Sequence, residues 1–456
     1  MNYKTILNEI RPNQDEKDKI ESLAEKAIKI IEEKAIEDNL KVKVYLTGSI
    51  SKGTWLSGNA DIDIFITFPL EVSMQELKER GLRLANYCNT VLNGKSFKHY
   101  ASHPYLNIYV GDYSIDIVPA YDIENSNQLK SAVDRTTLHT KYIIKKLKEN
   151  QKDEVLLLKK FMKEIKVYGS DFKTGGFAGY LAELLIIKYG SFKNTLTSAS
   201  NWRENTIIDI KEYETSHLFK DKLIVIDPTD KNRNVAASVT YDKLSEFITG
   251  SRNFILNPKE EYFYPLKRLS KSKDDFLTIF KERQTKTIAI YFNIPNISID
   301  NIYPQLKKTT DSLKEKLDEI GFIVTGTAYW SDEEEIAILL IELDSWVLGK
   351  YEKNIGPKIW YKKACQHFLS IHKDAFLENS YLVKKKERKY TSPEEFIHFV
   401  FKENNINILK IGKNLKEDIV DYKLCDIKNL KIEILDNEDF LNHLDDYLNP
   451  SQHLKR

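Results

Sequence analysis

From about residue 15 to residue 39 the apolar positions Ile20, Leu23, Ala27 and Ile31 recur at helical spacing, which predicts an amphipathic helix packed on whatever follows. The period then changes to two. Segments 42–46, 61–68, 106–110 and 114–118 read as strands, with a helix over about 73–92 between the second and third. Gly111-Asp112 joins the last two as a hairpin. Residues 151–256 return to a mainly helical pattern, in which Val155, Leu158, Met162 and Ile165 form a buried stripe, interrupted by an apolar strand near Leu223. Past Asn257, segments 287–292, 303–320, 322–330 and 335–343 read as strand, helix, strand, strand. The expected architecture is a multidomain α/β protein: a head (1–150), a helical neck (151–256), a small α/β body (257–345), a tail (346–403) ending in a helix near residues 393–403, and a return to the body (404–456). In that return, 406–435 are expected as strands and the residues after Pro450 as frayed.

Within this frame the first strand ends in Leu46-Thr47-Gly48-Ser49-Ile50-Ser51-Lys52-Gly53-Thr54, and Asp61-Ile62-Asp63-Ile64-Phe65-Ile66 follows a short loop. A Gly-Ser turn can bring backbone N–H groups and a hydroxyl against phosphate, because glycine tolerates close approach and positive φ. With a side-chain period of two, Asp61 and Asp63 project from one face of their strand and the isoleucines from the other. Asp116, flanked by Ile115 and Ile117, either faces water or joins the same polar face. Joining it would give the three hard oxygen ligands of a two-magnesium site for nucleotidyl transfer. Taken singly, an Asp-x-Asp strand is a solvated face and a Gly-Ser pair a turn; the combination in this order is what points to the chemistry.

Composition narrows the remaining choices. The chain has 456 residues and a formal net charge of +1, so attraction to a nucleic acid must come from local patches. One candidate is Lys384, Lys385, Lys386, Arg388 and Lys389, lying between Tyr381 and Tyr390. Cys88, Cys365 and Cys425 are isolated, which suggests neither a disulfide framework nor a zinc site. No apolar run approaches membrane-spanning length and the start is charged, so a cytoplasmic protein without membrane contact is expected.

The motifs Gly48-Ser49-x-x-Lys52-Gly53-Thr54, Asp61-Ile62-Asp63, Ser114-Ile115-Asp116-Ile117-Val118-Pro119 and Val133-Asp134-Arg135-Thr136-Thr137-Leu138-His139 resemble the archaeal, class I CCA-adding enzymes, tRNA nucleotidyltransferases of the polymerase-β superfamily. Leu157 to Phe161, Val167-Tyr168-Gly169, Gly175 to Leu184 and Asp227 to Ala236 are similar to the neck of that family, and the likeness is looser beyond Ala236. The resemblance implies a polymerase-β-like head, tRNA with CTP and ATP as substrates, and Mg2+, two ions being expected. It further implies that Asp61, Asp63 and Asp116 are catalytic metal ligands, that Gly48, Ser49, Lys52, His139, Lys159 and Tyr168 hold the triphosphate, and that Arg233 reads the base. Body and tail would then contact the acceptor and T arms of tRNA, with a homodimer left open.

Read from the residues alone, several of these positions have plainer roles. Asp134 can cap the helix starting near Thr136, which places His139 in its early turns, as a phosphate donor or a surface histidine. Lys159 lies at the edge of an apolar stripe, where most lysines reach into solvent. Tyr168 can simply pack, and Arg233 falls in a polar loop whose default is exposure. Two rivals remain: an enzyme of the same superfamily that makes oligoadenylate or cyclic nucleotides, and a non-catalytic RNA-binding protein on the same scaffold.

Overall fold

Alternating isoleucines decide how the first sheet is buried. Its strands are β1 (Lys43–Leu46), β2 (Asp61–Phe68), β3 (Lys95–Tyr100), β4 (Pro104–Val110) and β5 (Tyr113–Tyr121), in spatial order β1-β2-β5-β4-β3. β2 and β5 run parallel, with Asp63 opposite Asp116 and Ile64 opposite Ile117; β4 and β5 form the expected antiparallel hairpin. Ile62, Ile64, Ile66, Ile115 and Ile117 are buried in one core with Ile20, Ala24, Ala27, Leu77, Leu84 and Cys88. Burying each large aliphatic side chain contributes roughly 1.5–3 kcal/mol, which pins the sheet's acidic face outward by pinning its apolar face inward. The computed structural model describes residues 1–100, 104–267, 271–295, 297–402 and 404–456.

The chain divides into two compact units, Met1–Arg268 with Ser451–Arg456, and Leu269–Pro450. In the first, α1 (Tyr3–Ile10), α2 (Gln14–Glu37), α3 (Gly48–Lys52) and α4 (Met74–Leu92) accompany the sheet. Helix α4 starts at a capping box in which the Ser73 side chain and Glu76 satisfy each other's backbone N–H. Then follow α5 (Arg135–Lys146), α6 (Glu149–Glu164), α7 (Gly179–Tyr189), α8 (Phe192–Ala199), the strands β6 (Thr206–Asp209), β7 (Leu223–Asp227) and β8 (Asp230–Asn234), and α9 (Tyr241–Leu256). These share one aromatic-rich core, into which Tyr262 and Phe263 also pack, so the compact division falls after Arg268 and not at Asn257.

Two expectations about the ends of elements are also corrected in this unit. Asp134 does not cap α5 through its side chain; its carboxylate accepts from the backbone N–H groups of Tyr121, Lys130 and Ser131, tying the helix start to the end of β5. The residues after Pro450 are not frayed. His453 and Leu454 are buried, Asn253 donates to the Leu454 carbonyl at 2.9 Å, and Arg456 Nη2 donates to the Glu164 carbonyl at 2.6 Å. Apolar burial, the Glu164 carbonyl at the end of α6 and the Asn253 amide of α9 outweigh the entropy that frays an unattached end.

In the second unit β9 (Lys286–Asn293), β10 (Ile323–Ser331) and β11 (Ile336–Ser345), with helix α11 (Ile299–Ile320), form the expected strand-helix-strand-strand element after α10 (Lys273–Glu282). A three-stranded sheet follows, from β12 (Tyr351–Lys358), α12 (Lys362–Ile371), β13 (Phe376–Glu378) and β14 (Tyr381–Glu387), with β14 central. Helix α13 (Pro393–Val400) falls where a helix was expected, although Glu403 lies outside the described residues. Of the stretch 406–435 only β15 (Lys423–Asp426) is a strand, added to the larger sheet beside β9; the rest is short 3-10 turns and α14 (Ile432–Leu435), before α15 (Glu438–Leu448). Asn, Asp and Gly recur too often there for longer strands.

Candidate active site

Strand phasing puts the three acids on one face of the sheet. Asp61 is exposed at the start of β2, and Asp63 lies directly across from Asp116, both half-buried on the face opposite the isoleucine core. Asn107, the cross-strand neighbour of Asp116 on β4, donates from Nδ2 to Asp116 Oδ1 at 2.6 Å and to Ser114 Oγ at 2.7 Å. Burial first, then the negative charges of Asp116 and Asp61, push the Asp63 carboxyl up to about 7 against the lowering influence of Lys52. Among the described residues no three His, Cys, Asp or Glu side chains are already gathered into a metal cage. The donor set nonetheless fits a hard divalent cation: oxygen ligands on one face, open toward substrate, with a mutual repulsion that such a cation relieves.

The Gly-Ser turn is held against this face. The Thr47 N–H donates to the Asp63 carbonyl at 2.8 Å, and Gly48 has φ +68°, with Asp63 Oδ2 occupying the space a Cβ would need. Only glycine meets both demands. Ser49 follows in the first turn of α3, half-buried. Lys52 closes that helix and turns inward, donating from Nζ to Glu183 Oε2 at 2.7 Å.

Glu183 went unassigned in the sequence, and it organises the interior of the site. It is fully buried in α7, and its Oε1 accepts from Thr54 Oγ1 at 2.6 Å and from Lys159 Nζ at 3.3 Å. Lys159 also donates to the Thr54 carbonyl at 2.9 Å. Lys159 is therefore not a solvent-seeking lysine at the edge of a stripe: it is 2% exposed. Burial raises the Glu183 carboxyl, but Lys159 and Lys52 and the Thr54 hydroxyl outweigh it and hold the group below its ordinary value. Two ammonium groups share one carboxylate, so the cluster carries a surplus of positive charge beside three aspartates. The available signal was an acid inside Leu181-Ala182-Glu183-Leu184-Leu185-Ile186, a turn apolar all round, where a charge must find a partner.

Tyr168 belongs to the same place. A bridge between Tyr168 and Phe177 fixes the loop before α7, and the Tyr168 hydroxyl and Lys159 Nζ lie 3.0 and 3.5 Å from the position of a Cβ on Gly179, the first residue of α7. No side chain caps that helix. Burial, with the Glu183 charge, pushes the Tyr168 hydroxyl up to about 12, so it remains a donor.

His139 and Arg233 meet at a second buried acid. Asp227 closes β7 and is fully buried; its Oδ2 accepts from His139 Nε2 at 2.8 Å and from Arg233 Nη1 at 2.9 Å. Its Oδ1 accepts from the Thr229 N–H and hydroxyl, each at 2.8 Å, and from the Tyr180 hydroxyl at 3.1 Å. Arg233 is half-exposed on β8, a strand and not a free loop, because β8 pairs antiparallel with β7. The His139 ring stacks on Tyr180 at 3.9 Å and 14°. Burial lowers the imidazole below its ordinary value despite Asp227. The arrangement groups His139 with Arg233, whereas the family resemblance implies the triphosphate for one and the base for the other.

The basic run of the second unit is less uniform than its sequence. Lys386 and Arg388 both reach Glu352, at 3.4 and 2.9 Å, Arg388 also donates to the Ile320 carbonyl, and Lys389 lies 3.8 Å over the Phe399 ring. Lys384 meets His372 at 3.1 Å, while Lys385 is exposed. Ten lysines and one arginine against four acids between Trp346 and Thr391 still make this stretch strongly basic, with Tyr351, Trp360 and Tyr361 exposed in it.

Comparison with known proteins finds relatives along the whole chain. Residues 25–139 match the family described as "Nucleotidyltransferase domain", 153–264 "tRNA nucleotidyltransferase, second domain", and 283–425 "CCA-adding enzyme, C-terminal domain". The CCA-adding enzyme of Methanothermobacter thermautotrophicus is 40% identical over 460 residues, covering 100% of this chain and 99% of that protein. Those of Methanosarcina barkeri and Methanocaldococcus jannaschii are 36% and 37% identical, covering 91% and 85% of this chain and 91% and 87% of theirs. A solved structure of the Cid1 poly(U) polymerase aligns at 13% identity and a TM-score of 0.46 over 57% of this chain and 97% of that one.

Proposed function

This chain belongs to the family of CCA-adding enzymes, and on that premise we propose how its own residues carry out the reaction, the template-independent addition of C, C and A to the 3′ end of tRNA from CTP and ATP with release of pyrophosphate. The observation that carries the reading is the register of Asp63 with Asp116, next to Asp61 and beneath the Gly48-Ser49 turn. Enzymes of this class use divalent metal ions. Asp61, Asp63 and Asp116 would hold Mg2+, which supplies activation of the attacking hydroxyl and neutralisation of the leaving pyrophosphate, two ions being the expected number.

The residues divide the remaining work. The tRNA 3′-hydroxyl attacks the α-phosphate of the bound nucleotide in line, breaking its bond to pyrophosphate. Gly48 and Ser49 let the triphosphate approach the backbone, while Lys52, Lys159, Tyr168 and the uncapped start of α7 offer donors and positive charge to it. His139 gives its Nε2–H to Asp227, so Nδ1 is the nitrogen left for a phosphate, and it donates once the imidazole is protonated. Arg233, with Nη1 committed to Asp227, presents the rest of its guanidinium to the base. tRNA lacking its 3′ end, incubated with labelled CTP and ATP, should gain C, C and A in that order. Oligoadenylate formed without tRNA, or RNA binding without incorporation, would instead favour one of the two rivals.

For the basic tail the reading is RNA backbone contact, supported by its charge surplus and exposed aromatics. Exchange of Lys385 and Lys386 for Gln should weaken tRNA binding and reduce its salt slope by about one for each lysine that pairs with a phosphate, leaving nucleotide binding intact. Arg388→Gln should chiefly lower stability, since that guanidinium is tied to Glu352 and the Ile320 carbonyl. An unchanged tRNA affinity across a salt titration of the double lysine variant would return the run to a solvated face.

A further inference from the structure

Asp227 enters the mechanism above only as a partner of His139 and Arg233, and its surroundings are unusual. It continues the fully buried strand β7, yet it is a carboxylate with five donors arranged on its two oxygens. Burial raises the group, but the His139 hydrogen bond and charge, the Thr229 N–H and Arg233 together hold it well below the ordinary carboxylate range. Oδ1 is occupied by Thr229 and Tyr180, which fix the carboxylate plane. Oδ2 then faces two side chains at once, one from α5 and one from β8.

A half-exposed arginine on a short strand would ordinarily sample several rotamers at little cost. Here one nitrogen is held at 2.9 Å by a charge that cannot move, so the guanidinium plane and the direction of its outer edge are set before any nucleotide arrives. The same oxygen, with the stack on Tyr180, fixes the imidazole. A base reader discriminates only if its donors are pre-positioned, because a guanidinium free to rotate can satisfy several base edges almost equally.

We infer that Asp227 is a specificity-determining positioning residue: it acts through Arg233 to set which base edges are accepted, and through His139 it ties that choice to the grip on the phosphates. The inference rests on the reading that Arg233 contacts the base, and the test separates the two.

Incorporation of CTP, ATP, UTP and GTP is measured on tRNA ending at each successive position, for wild type, Asp227→Asn, Arg233→Ala and the double variant. The readout is the ratio of kcat/KM between correct and wrong nucleotides on one preparation, from which the folded fraction cancels. Asp227→Asn should lower that ratio about tenfold or more, and the double variant should match Arg233→Ala, since a residue acting through another adds nothing once the other is gone. Asp227→Glu, which keeps the charge at a different reach, should fold and show a smaller relaxation. Thr229→Ala, removing one anchor but neither Arg233 nor His139, should reduce stability with little change in the ratio. Wild-type discrimination in Asp227→Asn and Asp227→Glu alongside relaxed discrimination in Arg233→Ala would overturn the inference. Wild-type discrimination in Arg233→Ala would overturn the base-reading assignment beneath it.

Discussion

Asp63→Asn is expected to abolish incorporation of both C and A, by on the order of 10³-fold or more, while leaving the metal-free protein as stable as wild type or more so. The two effects share one cause. Asp63 faces Asp116 across parallel strands, and burial with neighbouring negative charge pushes its carboxyl up to about 7. An acid raised in the folded state costs stability once it ionises, so an isosteric amide removes that cost together with the ligand. Single-turnover incorporation measures the first effect and a thermal melt in chelator the second. A folded Asp63→Asn enzyme with activity near wild type would dismiss the carboxylate assignment. A clear drop in its melting temperature would dismiss the account of repulsion.

Glu183→Ala should be the most destabilising single change in the first unit, costing roughly 3–5 kcal/mol, because it strands two buried ammonium groups and the Thr54 hydroxyl. The urea midpoint, with m unchanged, is the measurement. Glu183→Gln keeps an acceptor for Thr54 and should cost less. A midpoint within error of wild type for the alanine variant would mean that water reaches both lysines. The pH dependence has a definite sign. The folded-state value of Glu183 lies below the ordinary one, so its contribution is present in full above the usual glutamate range and is lost as pH falls toward the folded value. Acid, not base, should therefore erase the difference in stability between wild type and Glu183→Gln.

These two residues also mark the difference between what could be read along the chain and what could not. Asp63 was legible because a strand's period of two is local: once the isoleucines at 62, 64 and 66 commit to a core, the acids between them must face outward. The same reasoning recovered the hairpin, the helix of residues 14–37 and the strand-helix-strand-strand order of the second unit, and glycine's tolerance of positive φ and close approach accounts for Gly48 in the turn after β1. Glu183 showed only that it needed a partner. Its partners, Lys52, Thr54 and Lys159, are contributed by distant stretches of sequence, and periodicity says which face a residue takes but not what it meets there.

Asp227 illustrates the same limit, since its link to His139 spans 88 positions and joins His139 to Arg233, two residues to which the family resemblance gives separate roles. Asp134 shows that even a local expectation can yield, when three backbone N–H groups nearby offer a buried carboxylate more than a helix terminus does. The final residues, expected to fray, are held because α6 presents a carbonyl acceptor, α9 an amide donor, and the core an apolar seat to them. By itself, then, the sequence determined four of the head's five strands and its two long helices, though not β3 or α1, together with the face on which its acids lie and the family to which they belong. Tertiary structure alone decided which buried charge pairs with which. Desolvation makes an unpaired charge intolerable, yet leaves the choice of partner to the packing of elements far apart in the chain.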